Sequence, residues 1–274
     1  MRGSNRLDGL ASVDMATVDP LDPNAVVGID VGGTGIKGAH VDVREGRASG
    51  RIRLETPQPA TPDAVTATIG QLVHQLGGDG PIGCTMPAVV TDGTVRTAAH
   101  IDPSWIGVHA TTLIARALDR PCVVLNDADA AGIGEAHFGA ARGHNGVVLM
   151  VTIGTGVGTA LLNDGVLVAN SELGHIELGR HVADTWVSDS ARVAKNLPWK
   201  RWTSRLDRYL TQLHSVLWPD LIVIGGGIVK HAHRFIDRVD PGCEVRIAEL
   251  GNLAGIVGAA VAAHAHVPAP ADGR

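Results

Sequence analysis

From residue 25 onward, short apolar runs alternate with Gly-rich turns, and helical spacing takes over only in defined windows. Residues 25–29 form an apolar run, 36–43 follow a Gly-rich turn, and 50–56 alternate in character. This pattern predicts three strands in a meander. Pro62 then opens a helix at its first position, with Thr61 as cap. Val65, Ile69, Leu72, Val73 and Leu76 give that helix an apolar face. Strands at 82–86 and 95–98 and a helix at 112–118 complete a first cycle. A second cycle begins with a buried-type strand at 122–125 and a helix of small residues at 128–139. A further meander is expected over 147–153, 158–162 and 166–169. Helices at 189–195 and 200–217 follow, then a strand at 221–224 that ends in Gly225, Gly226 and Gly227, and a last helix at about 252–266. Residues 1–24 mix charge, Gly, Ser and Pro without periodicity and read as a disordered arm.

The two cycles resemble each other. The segments IDVGGTGIKGAHV (29–41) and VTIGTGVGTALLN (151–163) each place a Gly/Thr loop between two strands, which argues for an internal duplication. The expected organisation is a small α/β lobe over 25–120 and a larger one over 121–251. The last helix is a candidate to pack back on the first lobe. Two such lobes would face each other across a cleft with a Gly/Thr loop on each wall.

Composition narrows the options. The 274 residues are 45% hydrophobic but only 3% aromatic, so the core must be largely aliphatic. The formal net charge of -5 gives no global basic signature for nucleic acid. Cys84, Cys122 and Cys243 are odd in number and far apart, which argues against a disulfide framework or zinc ribbon and for a reducing, cytoplasmic setting. No apolar run approaches the ~20 residues that span a bilayer, and the N-terminus lacks the apolar core of a signal peptide.

Each Gly/Thr loop has two readings. Asp30 ends the first strand and is followed by Gly32, Gly33 and Thr34; the second loop contains Gly154, Thr155 and Gly156. Either could be a plain Gly-rich turn, or a cradle whose N–H groups face phosphate oxygens. In the second reading Asp30 is placed to hold Mg²⁺, directly or through water, and Lys37 adds positive charge. Neither loop is followed by a GK[ST] sequence or by a helix, so Walker and dinucleotide-binding readings are disfavoured. Asn126 and Asp127 follow an apolar strand and precede a helix. They are either a helix cap or a catalytic pair in which Asp127 accepts a proton from an attacking hydroxyl. Glu172 could accept hydrogen bonds from vicinal hydroxyls of a sugar ring and His175 could orient another hydroxyl or bind metal, or the two could be an ordinary surface pair. Lys195, Lys200, Arg201, Arg205 and Arg208 concentrate positive charge late in the chain. A polyanion would favour such a patch, although from charge alone a solvated helix face is the better reading.

The segments DVGGTGIKGA (30–39), LNDADAAGIGE (125–135), TIGTGVGTA (152–160), ELGH (172–175) and IVIGGGIVK (222–230) resemble, in order, those of the ROK sugar kinases. That resemblance covers nearly the whole chain after residue 24. It implies an actin-like (ribonuclease H-like) two-lobed α/β fold with duplicated lobes around a cleft. It implies Asp127 as base, Asn126, Glu172 and His175 as sugar contacts, the Gly/Thr loops as phosphate contacts, and Gly225–Gly227 as the nucleotide side. It also favours a homodimer. The Cys-rich zinc motif that many members carry after ELGH is missing here, so no structural zinc is expected. This form, with HIDPSWIG (100–107) and LPWKRW (197–202), resembles the polyphosphate glucokinase and polyphosphate/ATP-glucomannokinase branch. The expected activity is phosphoryl transfer from polyphosphate, ATP or both to glucose, and to mannose as a further candidate. Three alternatives remain open: an ATP-only hexokinase, a sugar-binding regulator and an actin-like ATPase. The 24 residues before the first strand are too few for a DNA-binding domain, and the last alternative leaves Asn126-Asp127 and ELGH without a role.

Overall fold

The computed structural model describes residues 18–22 and 25–266. The first cycle contains β1 (Ala25–Val31), β2 (Gly35–Asp42), β3 (Arg47–Glu55), α1 (Pro62–Leu76), β4 (Ile82–Met86), β5 (Val90–Thr91), β6 (Thr94–Val95), α2 (Ala110–Leu118), β7 (Cys122–Asn126) and α3 (Asp127–Phe138). The second contains β8 (Val147–Ile153), β9 (Val157–Asn163), β10 (Val166–Val168), β11 (Glu177–Leu178), β12 (His181–Val182), α4 (Ala183–Val187), α5 (Asp189–Ala194), α6 (Trp199–Leu217), β13 (Leu221–Gly225), β14 (Glu244–Ile247) and α7 (Ala254–His266). The local rules operate as expected at α1. Thr61 accepts the Ala64 amide at 3.4 Å, a cap worth about 1 kcal/mol, and Val65, Ile69, Leu72 and Val73 are buried.

Two five-stranded sheets trace the same path. Their strand orders are β3-β2-β1-β4-β7 and β10-β9-β8-β13-β14. In each, an antiparallel meander is extended by two parallel strands. The duplicated motif of the sequence is thus a duplicated topology.

The expected lobe boundary at residue 121 is corrected by strand pairing. β7 lies parallel to β4, from Ile82↔Cys122 to Met86↔Asn126, and so completes the first sheet. The helices then cross over. α3 follows the first sheet yet packs on β8 and β9, whereas α7 follows the second and packs on β1 and β4. The two helices meet where they cross. A Cβ on Gly258 would stand 1.7 Å from the Ala130 carbonyl oxygen, and one on Gly134 would stand 2.5 Å from that of Ala254. Only glycine permits this backbone approach. Because α7 is covered by sheet on one side and α3 on the other, it is apolar nearly all round, with Ile256, Val257, Ala259, Ala260 and Ala263 fully buried.

Three further expectations change. The strand at 95–98 is replaced by the small β5–β6 hairpin, because residues from Arg96 onward leave it for a loop. β14 is an additional strand: its four residues carry two charges, Glu244 and Arg246, which hide an apolar signature. Residues 18–22, assigned to the disordered arm, form a turn in which Asp22 N–H bonds Asp19 O at 3.0 Å. The Val18 amide bonds Ser49 Oγ at 2.9 Å. The rest of that arm lies outside the described residues.

Candidate active site

A cleft of about 510 Å³ opens between the sheets, and both Gly/Thr loops line it. The first loop connects β1 to β2 and contributes Gly32, Gly33 and Thr34. The second connects β8 to β9 and contributes Gly154, Thr155 and Gly156. Each closes on itself, through Gly32 N–H to Gly35 O at 3.1 Å and Gly154 N–H to Gly156 O at 2.9 Å. The carbonyls are held from behind: Thr56 donates to Gly32 O and Ser190 to Thr155 O. The amides of Gly33, Thr34, Thr155 and Gly156 have no acceptor among the described residues. This leaves four donors at the cleft wall, the chemistry that an anion requires.

Asn126 and Asp127 stand in different surroundings. Asn126 caps α3: its Oδ1 accepts from the Ala128 and Asp129 amides at 2.8 and 3.0 Å, and its Nδ2 donates to Ala88 O at 3.2 Å. Asp127, one residue on, is partly buried and lines the cleft. Its Oδ1 accepts the Ala128 amide at 2.9 Å. Burial pushes its pKa up to about 7; the charges of Asp30 and Glu172 act in the same direction, and the Ala128 hydrogen bond opposes them. A carboxylate poised near neutrality at a cleft wall suits general-base work.

Asp30 and Lys37 are absent from the cleft lining and instead pair with each other at 3.2 Å. Thr85 donates to the other Asp30 oxygen at 3.0 Å. Lys37 is thus placed to neutralise Asp30. Glu172 and His175 both line the cleft, 3.4 Å apart, with Glu172 held at φ +44°. Gly226 reaches the cleft from the end of β13, whereas Gly225 and Gly227 do not line it. Gly226 has φ +79°, and a Cβ there would meet Ile153 O at 2.6 Å, so the turn can press against the second loop only as glycine.

None of the five cations of the late basic cluster lines the cleft. They lie at the end of α5 and along α6, and none is in an ion pair among the described residues. Asp184 of α4 accepts the Val157 amide at 2.7 Å and lines the cleft. Two residues on, Trp186 packs under Arg205 and Arg208, at 5.2 and 5.7 Å from its ring centre. α4 therefore links the second loop directly to the basic face of α6.

Sequence reasoning missed several residues. His100 lines the cleft, its Nε2 3.3 Å from where a Gly156 Cβ would sit. Its only sequence signal was the HIDPSWIG segment. Asp184 and Thr97 lie in no motif, and only the fold brings them in.

This architecture, twin sheets with a Gly/Thr loop on each wall and an Asn-Asp pair at the base of a helix, defines a kinase of the sugar-kinase class. The chain belongs to the ROK family, whose sequence profile matches residues 26–185. It is 44% identical over 237 residues to the polyphosphate glucokinase of Mycobacterium tuberculosis, which covers 86% of this chain and 89% of that protein. It superposes on the crystal structure of the inorganic polyphosphate/ATP-glucomannokinase of Arthrobacter sp. strain KM with a TM-score of 0.85. The identity there is 40%, over 89% of this chain and 99% of that one. The ROK family glucokinase of Streptomyces griseus, solved with glucose and AMPPNP, gives a TM-score of 0.76 at 26% identity, over 88% and 99% of the two chains.

Proposed function

We propose that the protein is a hexose kinase that transfers the terminal phosphoryl group of polyphosphate or ATP to the 6-hydroxyl of glucose, with mannose as a second acceptor. The observation that carries this reading is the position of Asp127, poised near neutrality between two loops with free amide donors and the Glu172–His175 pair. The similarity to polyphosphate glucokinase and glucomannokinase supports the choice of substrates.

In this mechanism Glu172 and His175 hold the ring hydroxyls, and Asp127 takes the proton as the sugar oxygen attacks phosphorus. A new O–P bond forms while the P–O bond to the rest of the donor breaks. The amides of Gly33, Thr34, Thr155 and Gly156 stabilise charge on the transferring oxygens. Asp30, whose charge is felt at Asp127, offers the hard oxygen donors that Mg²⁺ prefers. Among the described residues no cluster of three or more His, Cys, Asp or Glu could hold a metal, so Asp30 would share the ion with donor phosphates and water. Mg²⁺ would neutralise phosphate charge there.

ATP would direct its base towards Gly226, and a longer polyanion would pass α4 to Lys195, Lys200, Arg201, Arg205 and Arg208. No helix among the described residues is long and apolar enough to cross a membrane. A homodimer is the expected assembly, to be checked by light scattering. The deciding experiment is a coupled assay crossing glucose, mannose and fructose with ATP and polyphosphate. Turnover of glucose with polyphosphate supports the proposal; turnover with ATP alone establishes the ATP-only reading, and no turnover with any pair refutes both.

A further inference from the structure

Pro87, Ala88 and Val89, the segment between β4 and β5, line the cleft together with Glu172. Two asparagine side chains from different parts of the fold fasten this segment. Asn126, next to the candidate base, donates to Ala88 O at 3.2 Å. Asn170, two residues before Glu172, grips Val90 on both sides: its Oδ1 accepts the Val90 amide at 3.1 Å, and its Nδ2 donates to Val90 O at 2.9 Å. The side-chain amide stands in for a neighbouring strand on the open edge of the β5–β6 hairpin. Val90 belongs to the core of the first lobe, whereas Asn170 follows β10 of the second. This contact therefore bridges the lobes at the cleft.

Asn170 is itself held. Its amide donates to Asp129 Oδ2 at 2.8 Å, and Asp129 is 1% exposed in the first turn of α3. Its backbone is left-handed at φ +57°, a conformation that asparagine tolerates. Downstream, the Leu173 amide donates to Thr159 Oγ1 at 2.9 Å, and Ser171 shares a hydrogen bond with the same hydroxyl at 3.0 Å. Glu172 thus sits on a short segment anchored before and after it.

We propose that Asn170 is a positioning residue for the acceptor sugar: its clasp on Val90 sets the spacing between the 87–90 wall and Glu172 and thereby governs hexose affinity and selectivity. This rests on the hexose-kinase reading above. The clasp touches neither Gly/Thr loop, so donor binding is independent of it.

The test uses the full chain and the variants N170G and N170D. N170G keeps the left-handed backbone and deletes the amide. N170D keeps an acceptor for the Val90 amide but turns a carboxylate oxygen towards Val90 O. Initial rates are measured against glucose and mannose at saturating donor, and against donor at saturating glucose. Melting temperatures and donor-free glucose titration calorimetry accompany them. N170G should raise the glucose KM and Kd by about tenfold or more, as expected if the two part-buried hydrogen bonds to Val90 preset the wall for the sugar. The donor KM should stay within about twofold, and the preference between glucose and mannose should shrink, a loss of ground-state binding. N170D should show the same pattern, and it carries the comparison if N170G fails to fold. A glucose KM within about twofold of the parent, or equal rises in glucose and donor KM, would overturn the proposal. A parent without hexose kinase activity would instead sink the reading beneath it.

Discussion

Replacing Asp127 with asparagine isolates the proton-transfer step. Asparagine occupies nearly the same volume and can still accept the Ala128 amide, now at 2.9 Å, and Asn126 continues to cap α3. The helix and the cleft wall therefore stay in place while the base is lost. General-base groups contribute about 10²- to 10⁴-fold, so kcat should fall by that factor, equivalent to about 2.7–5.4 kcal/mol of barrier. The hexose KM should change little, since Glu172 and His175 remain. The pH profile gives a second reading. Only ionised Asp127 can take a proton, and its pKa is raised to about 7. The kcat/KM of the parent should therefore fall about tenfold per pH unit below that value, and the residual activity of D127N should lack this limb. Stability should move in the opposite direction. The raised pKa means that the folded parent holds a proton that the unfolded chain has released above about pH 4, so the parent loses stability as pH rises from there to about 7. D127N avoids that loss and should melt above the parent at pH 8, with the gap closing towards pH 4. A D127N enzyme that retains most of its kcat, measured in the coupled assay, would remove Asp127 from the chemistry.

Further variants test the neighbours. Glu172→Ala should raise the hexose KM strongly, because charge-assisted hydrogen bonds to the sugar are lost. It should also shift the acid limb of kcat/KM to lower pH, since the Glu172 charge helps to raise Asp127. Neutralising the exposed Lys200 and Arg201 together should weaken polyphosphate use far more than ATP use in donor titrations. Added salt should inhibit the polyphosphate reaction more steeply; equal losses with both donors would leave the cluster as a solvated face. Elemental analysis of the purified protein should find no stoichiometric zinc, whereas one zinc per chain would reveal a ligand set that the sequence does not display.

Much of the architecture was legible because local signals and global fold agree. Thr61-Pro62 marked the start of α1, and the two Gly/Thr turns marked the meanders. The features that escaped depend on tertiary context. β7 reads as the start of a new cycle in sequence, because its allegiance is set by pairing with β4 more than thirty residues earlier. The Asn126-Asp127 ambiguity could not be resolved by residue type, since both can cap a helix; the structure gives the cap to Asn126 and leaves Asp127 facing the cleft. His100 and Asp184 come from separate lobes and meet beside Gly156 only in three dimensions. Asn170 carries no motif, because its partner is the backbone of Val90 and any residue but proline could present the same groups there.

The exchange of α3 and α7 between the lobes dictates an order of assembly. As a ribosome releases the chain, all five strands of the first sheet emerge more than a hundred residues before α7. Until then the faces of β1 and β2 that carry Val26, Ala39 and Val41 lack Ile256, Val257, Ala260 and Ala263, the residues that complete their cluster. The first half therefore has one face of its sheet packed by its own residues, Ile69, Leu72 and Ile114 among them, while the other face waits for the second half to be made. A nascent chain stalled before residue 254 would present an uncovered apolar sheet, a natural ligand for chaperones, and a split of the protein at any single loop would leave at least one fragment in the same condition.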